Sequence, residues 1–242
     1  MSRQWMRATA RRTTVHTMPT QPQESLLDLL SSGHRRALEV ESGIRADVIA
    51  TRGYRTITKQ VEVKRLGFDD SQCRVPALLL PVWGLNGEIT TYQLRPDIPR
   101  ISKGKAIKYE SPSGSVMAMD CSPLIRDQIM DVRVPLLITE GVKKADAAIS
   151  HGGCCLALLG VWNWRGRDAH GGKRLLADFD RIPLNDREVF VIYDSDLLEK
   201  DAVAQALIRL GRVLEHSFHA AVRVVHLPSA IVATPGSRGG DG

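Results

Sequence analysis

From Val134 to about residue 228, short apolar runs alternate with longer segments of helical periodicity. The runs "VPLLITEG", "CCLALLG", "REVFVIYDSD" and "AAVRVVHLP" have the branched and aromatic residues of buried strands. Between them, "VKKADAAISHG", "GGKRLLADF" and "KDAVAQALIRLGRVLEHS" each predict a helix. Near-continuous apolar strands joined by helices predict an α/β fold, in which a four-stranded parallel sheet carries helices on both faces.

Acidic residues end two of these strands. Glu140 follows the first strand, and Asp194 and Asp196 follow the third. Ligands gather beyond the carboxyl ends of parallel strands, so three carboxylates converge there if the two strands are neighbours. Clustered like charges need a cation, and Mg²⁺ or Mn²⁺ prefers such oxygen ligands. The alternative is that Ser195 or Asp196 caps the following helix.

The upstream half carries a hairpin signal and a basic segment. In "ALLLPVWGLNGEITTYQLRP", strand-like runs flank Asn-Gly, which predicts a β-hairpin. The next stretch, "DIPRISKGKAIKYESPSGS", predicts a basic loop, which is either a solvated connection or a surface that tracks phosphates. The formal net charge of +6 and the pI of about 9.3 suit a polyanionic partner without identifying one.

Composition divides the chain into four parts. Residues 1–23 contain four arginines and no acid, and we expect a disordered basic arm, although an organellar transit peptide has a similar composition. Residues 24–132 form a smaller α+β subdomain, 133–230 the α/β domain, and 231–242 a disordered tail. No apolar run approaches the roughly 20 residues of a membrane span, so we expect a cytoplasmic protein without membrane contact.

The words "LLITEG", "EGVKKADA", "GVWNWRG" and "YDSD" resemble the Toprim domain, the catalytic fold shared by bacterial-type primases, topoisomerases and some nucleases. They are most similar to Toprim-like domains of replication and primase proteins of phages, plasmids and other mobile elements, often described only as domains of unknown function. The resemblance implies that Glu140, Asp194 and Asp196 hold Mg²⁺ (or Mn²⁺) and carry phosphoryl chemistry.

The upstream half more loosely resembles the region that precedes Toprim in bacterial replicative primases. That resemblance implies that Arg95, Lys108 and Tyr109 contact template or nucleotide, and Lys105 lies in the same basic segment.

The chain departs from the primase pattern after its first glutamate. Typical primases place an acid where this sequence has Lys143 and Lys144. The two lysines either bind a triphosphate or replace a metal-binding position, which leaves a binding module without catalysis.

The segment "GVWNWRGR" also has two interpretations. Trp162 and Trp164 can stack on bases while Arg165 and Arg167 pair with phosphates. Alternatively, the tryptophans are partly buried at the edge of the sheet.

These observations predict a primase-like, Mg²⁺-dependent nucleotidyltransferase in DNA replication, with single-stranded DNA and nucleoside triphosphates as its partners. The chain has no G-x-x-x-x-G-K-[ST] loop, so unwinding falls to a separate helicase. Two alternatives stay open: a Toprim nuclease that uses the same carboxylates to activate water, and a non-catalytic nucleic-acid-binding replication accessory.

Overall fold

The computed structural model describes residues 26–167, 173–193 and 201–226. Its α-helices are α1 (Ser32–Glu39), α2 (Ala46–Arg52), α3 (Gln60–Arg65), α4 (Arg126–Ile129), α5 (Val142–Ser150) and α6 (Asp201–Phe218). Its strands are β1 (Arg55–Ile57), β2 (Ala77–Trp83), β3 (Ile89–Pro96), β4 (Arg100–Ser102), β5 (Lys105–Ile107), β6 (Met119–Asp120), β7 (Leu136–Thr139), β8 (Cys154–Leu158), β9 (Arg165–Arg167), β10 (Lys173–Leu175), β11 (Glu188–Tyr193) and β12 (Ala221–His226). Short 3₁₀ helices cover Asp70–Gln72, Pro123–Ile125 and Ala177–Arg181.

Several predicted features lie outside the described residues. They are the basic arm (1–23), the tail (231–242), both aspartates Asp194 and Asp196, and the side chain of Arg167. None of the described helices combines the length and apolar character that crossing a bilayer requires.

The central sheet has the predicted four parallel strands and one added strand. Its order is β12-β11-β7-β8-β6, in which β12, β11, β7 and β8 run parallel. The short strand β6 pairs antiparallel with β8, Met119 opposite Leu158 and Asp120 opposite Ala157. Strand β6 precedes residue 133, where the sequence predicts the α/β domain to begin, and that division stays a prediction.

The order of the strands places the two long helices on opposite faces. The β7–α5–β8 connection moves one way across the sheet, and β11–α6–β12 moves the other way. Since parallel crossovers are right-handed, opposite directions put α5 and α6 on different faces. Both helices bury an apolar stripe at helical spacing: Val142, Ala145 and Ile149 in α5, and Ala206, Leu207, Leu210 and Leu214 in α6. The prediction of a covered α/β sheet is confirmed.

The predicted Asn-Gly hairpin joins β2 to β3. The turn depends on Gly87, whose φ of 78° lies in the left-handed region. Strand β2 is a continuous apolar run because both of its faces are buried. Leu78 and Leu80 belong to the main core beneath the central sheet, whereas Ala77 and Leu79 face a second, smaller core.

Two local predictions from sequence were wrong. The basic stretch predicted as a loop contains the antiparallel hairpin β4–β5, with Lys103 (φ 49°) and Gly104 (φ 74°) in its turn. The segment "GGKRLLADF" predicted a helix, but Lys173–Leu175 is strand β10, which pairs with β9. The pairing partner decides between strand and helix here, because so short an apolar run fits either period.

A buried ion network ties the N-terminal half to the central sheet. Arg52, at the end of α2, donates to both oxygens of Asp146 in α5 and to Asp120 in β6, and all three residues are 0% exposed. The hydroxyl of Tyr54 also donates to Asp146, and the Trp83 backbone N–H donates to Asp120. Burial lowers the pKa of Arg52, but the two carboxylates more than offset this and keep it charged.

A second buried arginine lies at the amino edge of the central sheet. Arg187 precedes β11, is 0% exposed, and donates to the carbonyls of Ile129, Val134, Gln128 and Pro183. These carbonyls lie near the amino ends of β7 and β11, so protein fills that edge of the sheet.

We expect Arg52→Met to lower the free energy of unfolding by about 3–5 kcal/mol, since it leaves two buried carboxylates without their cation. Urea unfolding followed by circular dichroism measures the change. Arg36→Met is the control, because its side chain is 74% exposed and should cost no more than about 0.5 kcal/mol. A loss of less than about 1 kcal/mol for Arg52→Met would contradict the assigned role.

Candidate active site

The structure makes the two acid-bearing strands neighbours. Strand β11 pairs parallel with β7, with Val191 opposite Ile138. Glu140 comes directly after β7, and Tyr193 ends β11 at the same edge of the sheet. Asp194 is the next residue in the sequence. The adjacency of the two strands, on which the predicted cluster of carboxylates depends, is therefore confirmed, whereas the positions of the two aspartates stay a prediction.

Both oxygens of Glu140 are engaged. The Thr139 hydroxyl donates to Oε2 at 3.0 Å, and the Lys144 ammonium, one helical turn along, ion-pairs with Oε1. The Glu140 side chain is only 10% exposed, so these two groups supply much of the stabilisation of its carboxylate. The described residues contain no group of three or more His, Cys, Asp or Glu side chains suited to a metal ion.

Glu140 lies in a cleft of about 490 Å³ between the two halves of the chain. Helix α5 and the carboxyl ends of β7 and β8 form one wall, and the N-terminal half forms the other. The lining residues that carry polar side chains are Glu41, Ser42, Gln93, Tyr109, Glu140, Lys143 and Lys144. A ligand in this cleft therefore contacts both halves.

Charged groups of both signs surround the cleft. Burial lowers the pKa of Lys143, the Arg95 guanidinium lowers it further, and the Glu41 carboxylate raises it. Arg95 also lies over the ring of Tyr109, 6.0 Å from its centre. Two cations held near each other at a cleft are stabilised by an anion, and a phosphate group meets that requirement.

Only some of the residues predicted to bind nucleotide or nucleic acid lie at the cleft. Lys143, Lys144 and Tyr109 line it, and Arg95 lies beside Tyr109. Lys105 in β5 and Lys108 just after it are exposed and are not among the lining residues.

The structure favours burial for one of the two tryptophans. Trp164 is 5% exposed, and its Nε1 has no hydrogen-bond partner among the described residues. Arg165 lies over both indole rings, 4.3 Å from the centre of Trp162 and 4.8 Å from that of Trp164. Trp164 therefore offers no open ring face to a base, whereas Trp162 is only partly buried.

Sequence reasoning missed three residues of this region. Glu41 and Gln93 lie far from the acidic motifs in sequence, and no local pattern marks them. Tyr193 packs within its strand, with 1% exposure. Its hydroxyl has no hydrogen-bond partner within the described ranges, and burial together with Glu140 raises its pKa above the usual range. Its place directly before Asp194 was the available signal.

Comparison with known proteins identifies the fold. The model of a family described as a domain of unknown function, DUF3854, matches residues 127–232. The Aquifex aeolicus primase (zinc-binding and RNA polymerase domains) superposes with a TM-score of 0.55 at 15% identity, covering 86% of this chain and 54% of that one. The E. coli primase catalytic core gives 0.55 at 18%, covering 86% and 69%. The fold is that of a primase catalytic core, Toprim domain included.

Two further comparisons show how much of each protein the similarity covers. A DnaG primase catalytic domain bound to single-stranded DNA gives a TM-score of 0.51 at 18% identity, covering 86% of this chain and 70% of that one. An uncharacterised protein of Picosynechococcus sp. is 32% identical over 91 residues, which is 34% of this chain and 9% of that protein. The chain thus spans about half of the Aquifex chain and a small part of the Picosynechococcus protein.

We expect Trp164→Ala to lower the free energy of unfolding by about 3–5 kcal/mol, because it opens a cavity in the core. Trp162→Ala is the matched control, and its partly exposed ring should cost less than half as much. Chemical denaturation of both variants measures the difference. Equal costs for the two variants would contradict the assignment of Trp164 as the buried ring.

Proposed function

We propose that this protein is a primase-like, Mg²⁺-dependent nucleotidyltransferase that uses single-stranded DNA as template and nucleoside triphosphates as substrates in the replication of a phage, plasmid or other mobile element. The observation that carries the proposal is the cleft where Glu140, at the carboxyl end of β7, meets Lys143 of α5 and Tyr109 of the N-terminal half. The primase-type fold supports it, since the cleft lies where an α/β sheet binds its ligands.

The side chains around Glu140 supply some of the ligands that a divalent cation needs. A carboxylate beside a hydroxyl, at an open sheet edge, is an oxygen donor set that Mg²⁺ accepts. Glu140, Asp194 and Asp196 would hold the ion, and Glu140 would first have to release Lys144. When bound, the metal neutralises triphosphate charge and lowers the pKa of an attacking 3′-hydroxyl.

The other side chains of the cleft bind and orient the substrate. Lys143 and Arg95 supply positive charge for the phosphates, and Lys143 becomes easier to protonate once an anion offsets Arg95. The Tyr109 ring offers an aromatic face 40% exposed at the cleft for a base. Lys105, Lys108, Arg165 and Arg167 would contact the template backbone in this proposal, and the Trp162 ring would stack on a base. A separate helicase would supply unwinding.

One observation favours a second candidate, a non-catalytic nucleic-acid-binding accessory. Lys144 is ion-paired with Glu140, so an ammonium stands against the carboxylate that a metal ion needs. If this pair persists at physiological Mg²⁺ concentration, the cleft binds phosphate without performing chemistry.

Glu140→Gln should reduce primer synthesis on single-stranded DNA by at least about a hundredfold, because a neutral amide removes charge from the reacting centre. Asp194→Asn and Asp196→Asn should also reduce primer synthesis. The assay measures Mg²⁺-dependent incorporation of labelled nucleotides, and Glu215→Gln on the exposed side of α6 is the matched control.

Gel analysis of the products of this assay distinguishes the nucleotidyltransferase from the nuclease and from the non-catalytic accessory. Nicking of DNA without nucleoside triphosphates indicates the nuclease, and binding without either activity indicates the accessory. Primer synthesis that survives Asp194→Ala and Asp196→Ala removes those residues from the chemistry.

Lys144→Met should tighten Mn²⁺ binding about tenfold, because it frees one oxygen of Glu140 and removes a repelling charge. Electron paramagnetic resonance of free Mn²⁺ measures the affinity directly. Lys59→Met, an exposed charge away from the cleft, is the control and should leave the affinity unchanged. Unchanged or weaker binding by Lys144→Met would show that the lysine does not compete with the metal.

A further inference from the structure

Gln93 is a polar residue on a face of β3 that otherwise packs into the main core. Side chains alternate along a strand, so Leu94 faces the smaller core while Gln93 faces the other way. Gln93 pairs with Leu80 of β2, which belongs to the main core and is 0% exposed. Directly paired residues of antiparallel strands point to the same side. A leucine at position 93 would extend that core, so packing alone does not explain the amide.

The side-chain amide of Gln93 has no hydrogen-bond partner among the described residues. The residue is 8% exposed, and it lines the cleft that holds Glu140. Burying an amide this deeply costs free energy unless its N–H and C=O groups are hydrogen-bonded. A ligand of the cleft that offers both an acceptor and a donor supplies what this amide lacks.

The Tyr109 ring lies on the same face of the sheet as Gln93. Leu94 and Glu110 form an antiparallel bridge and exchange both backbone hydrogen bonds, at 2.8 and 2.9 Å. This register places Tyr109 opposite Arg95, in agreement with the 6.0 Å between the Arg95 guanidinium and the centre of the Tyr109 ring. Gln93 shares a face with Arg95 because the two are two residues apart. Gln93 and Tyr109 are thus diagonal neighbours, within reach of a common ligand.

An amide beside an aromatic ring suits the recognition of a nucleobase. The base stacks on the ring, and its edge exchanges hydrogen bonds with the amide. A glutamine amide offers one acceptor and one donor side by side. Adenine matches this pair at one edge, where its exocyclic amino group donates and its ring nitrogen N7 accepts. The same edge of guanine only accepts, and a pyrimidine has no N7, so adenine is the base that satisfies both groups.

The cleft also has room and charge for the rest of a nucleotide. Its volume of about 490 Å³ lies within the range of small-molecule sites, which is about 300–1,000 Å³. Lys143 and Lys144 line it together with Gln93, on the wall that α5 forms. A base at Tyr109 and Gln93 therefore leaves the ammonium groups of the opposite wall to the phosphates.

We propose that Gln93 determines base specificity in the cleft and selects adenine nucleotides, with its amide hydrogen-bonded to the amino group and N7 of a base stacked on Tyr109. The inference rests on the proposed function, because it takes the nucleoside triphosphate of that function as the ligand of the cleft. Gln93 has no part in phosphoryl transfer itself.

Calorimetric titration of the full chain with ATP and GTP, in EDTA and without DNA, tests the proposal. ATP should bind about tenfold more tightly than GTP, as one bidentate pair predicts. Gln93→Leu keeps the size of the side chain and removes the amide, so it should reduce this preference to less than about twofold. The ligand 7-deaza-ATP lacks the N7 acceptor. It should bind the wild-type protein about fivefold more weakly than ATP, and Gln93→Leu should bind the two equally.

The matched control is Gln60→Leu, at an exposed position outside the cleft, which should keep the preference for ATP. Inorganic tripolyphosphate binds through phosphates alone, so equal binding by wild type and Gln93→Leu shows that the variant is folded. If Gln93→Leu does not fold, the comparison of ATP with 7-deaza-ATP on the wild-type protein decides. Equal binding of ATP and GTP by the wild type, equal binding of ATP and 7-deaza-ATP, or an unchanged preference in a folded Gln93→Leu would overturn the proposal.

This experiment separates the inference from the proposed function, because it involves neither metal nor template. A protein that keeps the preference for ATP but makes no primers would contradict the proposed function alone. A protein that makes primers but does not distinguish ATP from GTP in the titration would contradict the role of Gln93 alone.

Discussion

The buried guanidinium of Arg52 holds the two halves of this protein in register. It joins the end of α2 to Asp146 in the middle of α5 and to Asp120 in the edge strand β6. Three buried charges are costly to desolvate, and the cost is offset only while all partners keep their geometry. The Trp83 indole donates to the Arg52 carbonyl, so β2 belongs to the same unit. Any shift of one half relative to the other breaks several of these bonds together.

This constraint sets the shape of the cleft. Helix α5 carries Asp146 on its buried side and Lys143 and Lys144 near its start, where they meet Glu140. Because Arg52 fixes α5, it also fixes the distance between those lysines and the side chains of the opposite wall. Arg187 fills the amino edge of the sheet, whereas the cleft lies at the carboxyl ends of β7 and β8.

The residues that depart from the primase pattern lie on the primase-type fold itself. The lysines that replace the expected acid lie on one wall of the cleft, and Arg165, Arg174 and Arg181 line a separate depression. The Glu140–Lys144 pair is the feature on which the two functional interpretations divide, because one ammonium can either share the site with phosphate or exclude a metal from it.

The sequence alone determined the α/β class, the four parallel strands, the Asn-Gly hairpin and the place of Glu140 at a strand end. These follow from local periodicity and turn chemistry, which a few neighbouring residues encode. Only the tertiary structure decided that β7 and β11 are neighbours, that β6 joins the sheet, and that Lys173–Leu175 is a strand. It also decided that Glu41 and Gln93 line the same cleft as Glu140 and that Trp164 is buried. These facts depend on partners distant in the chain, and no residue's own neighbours carry that information.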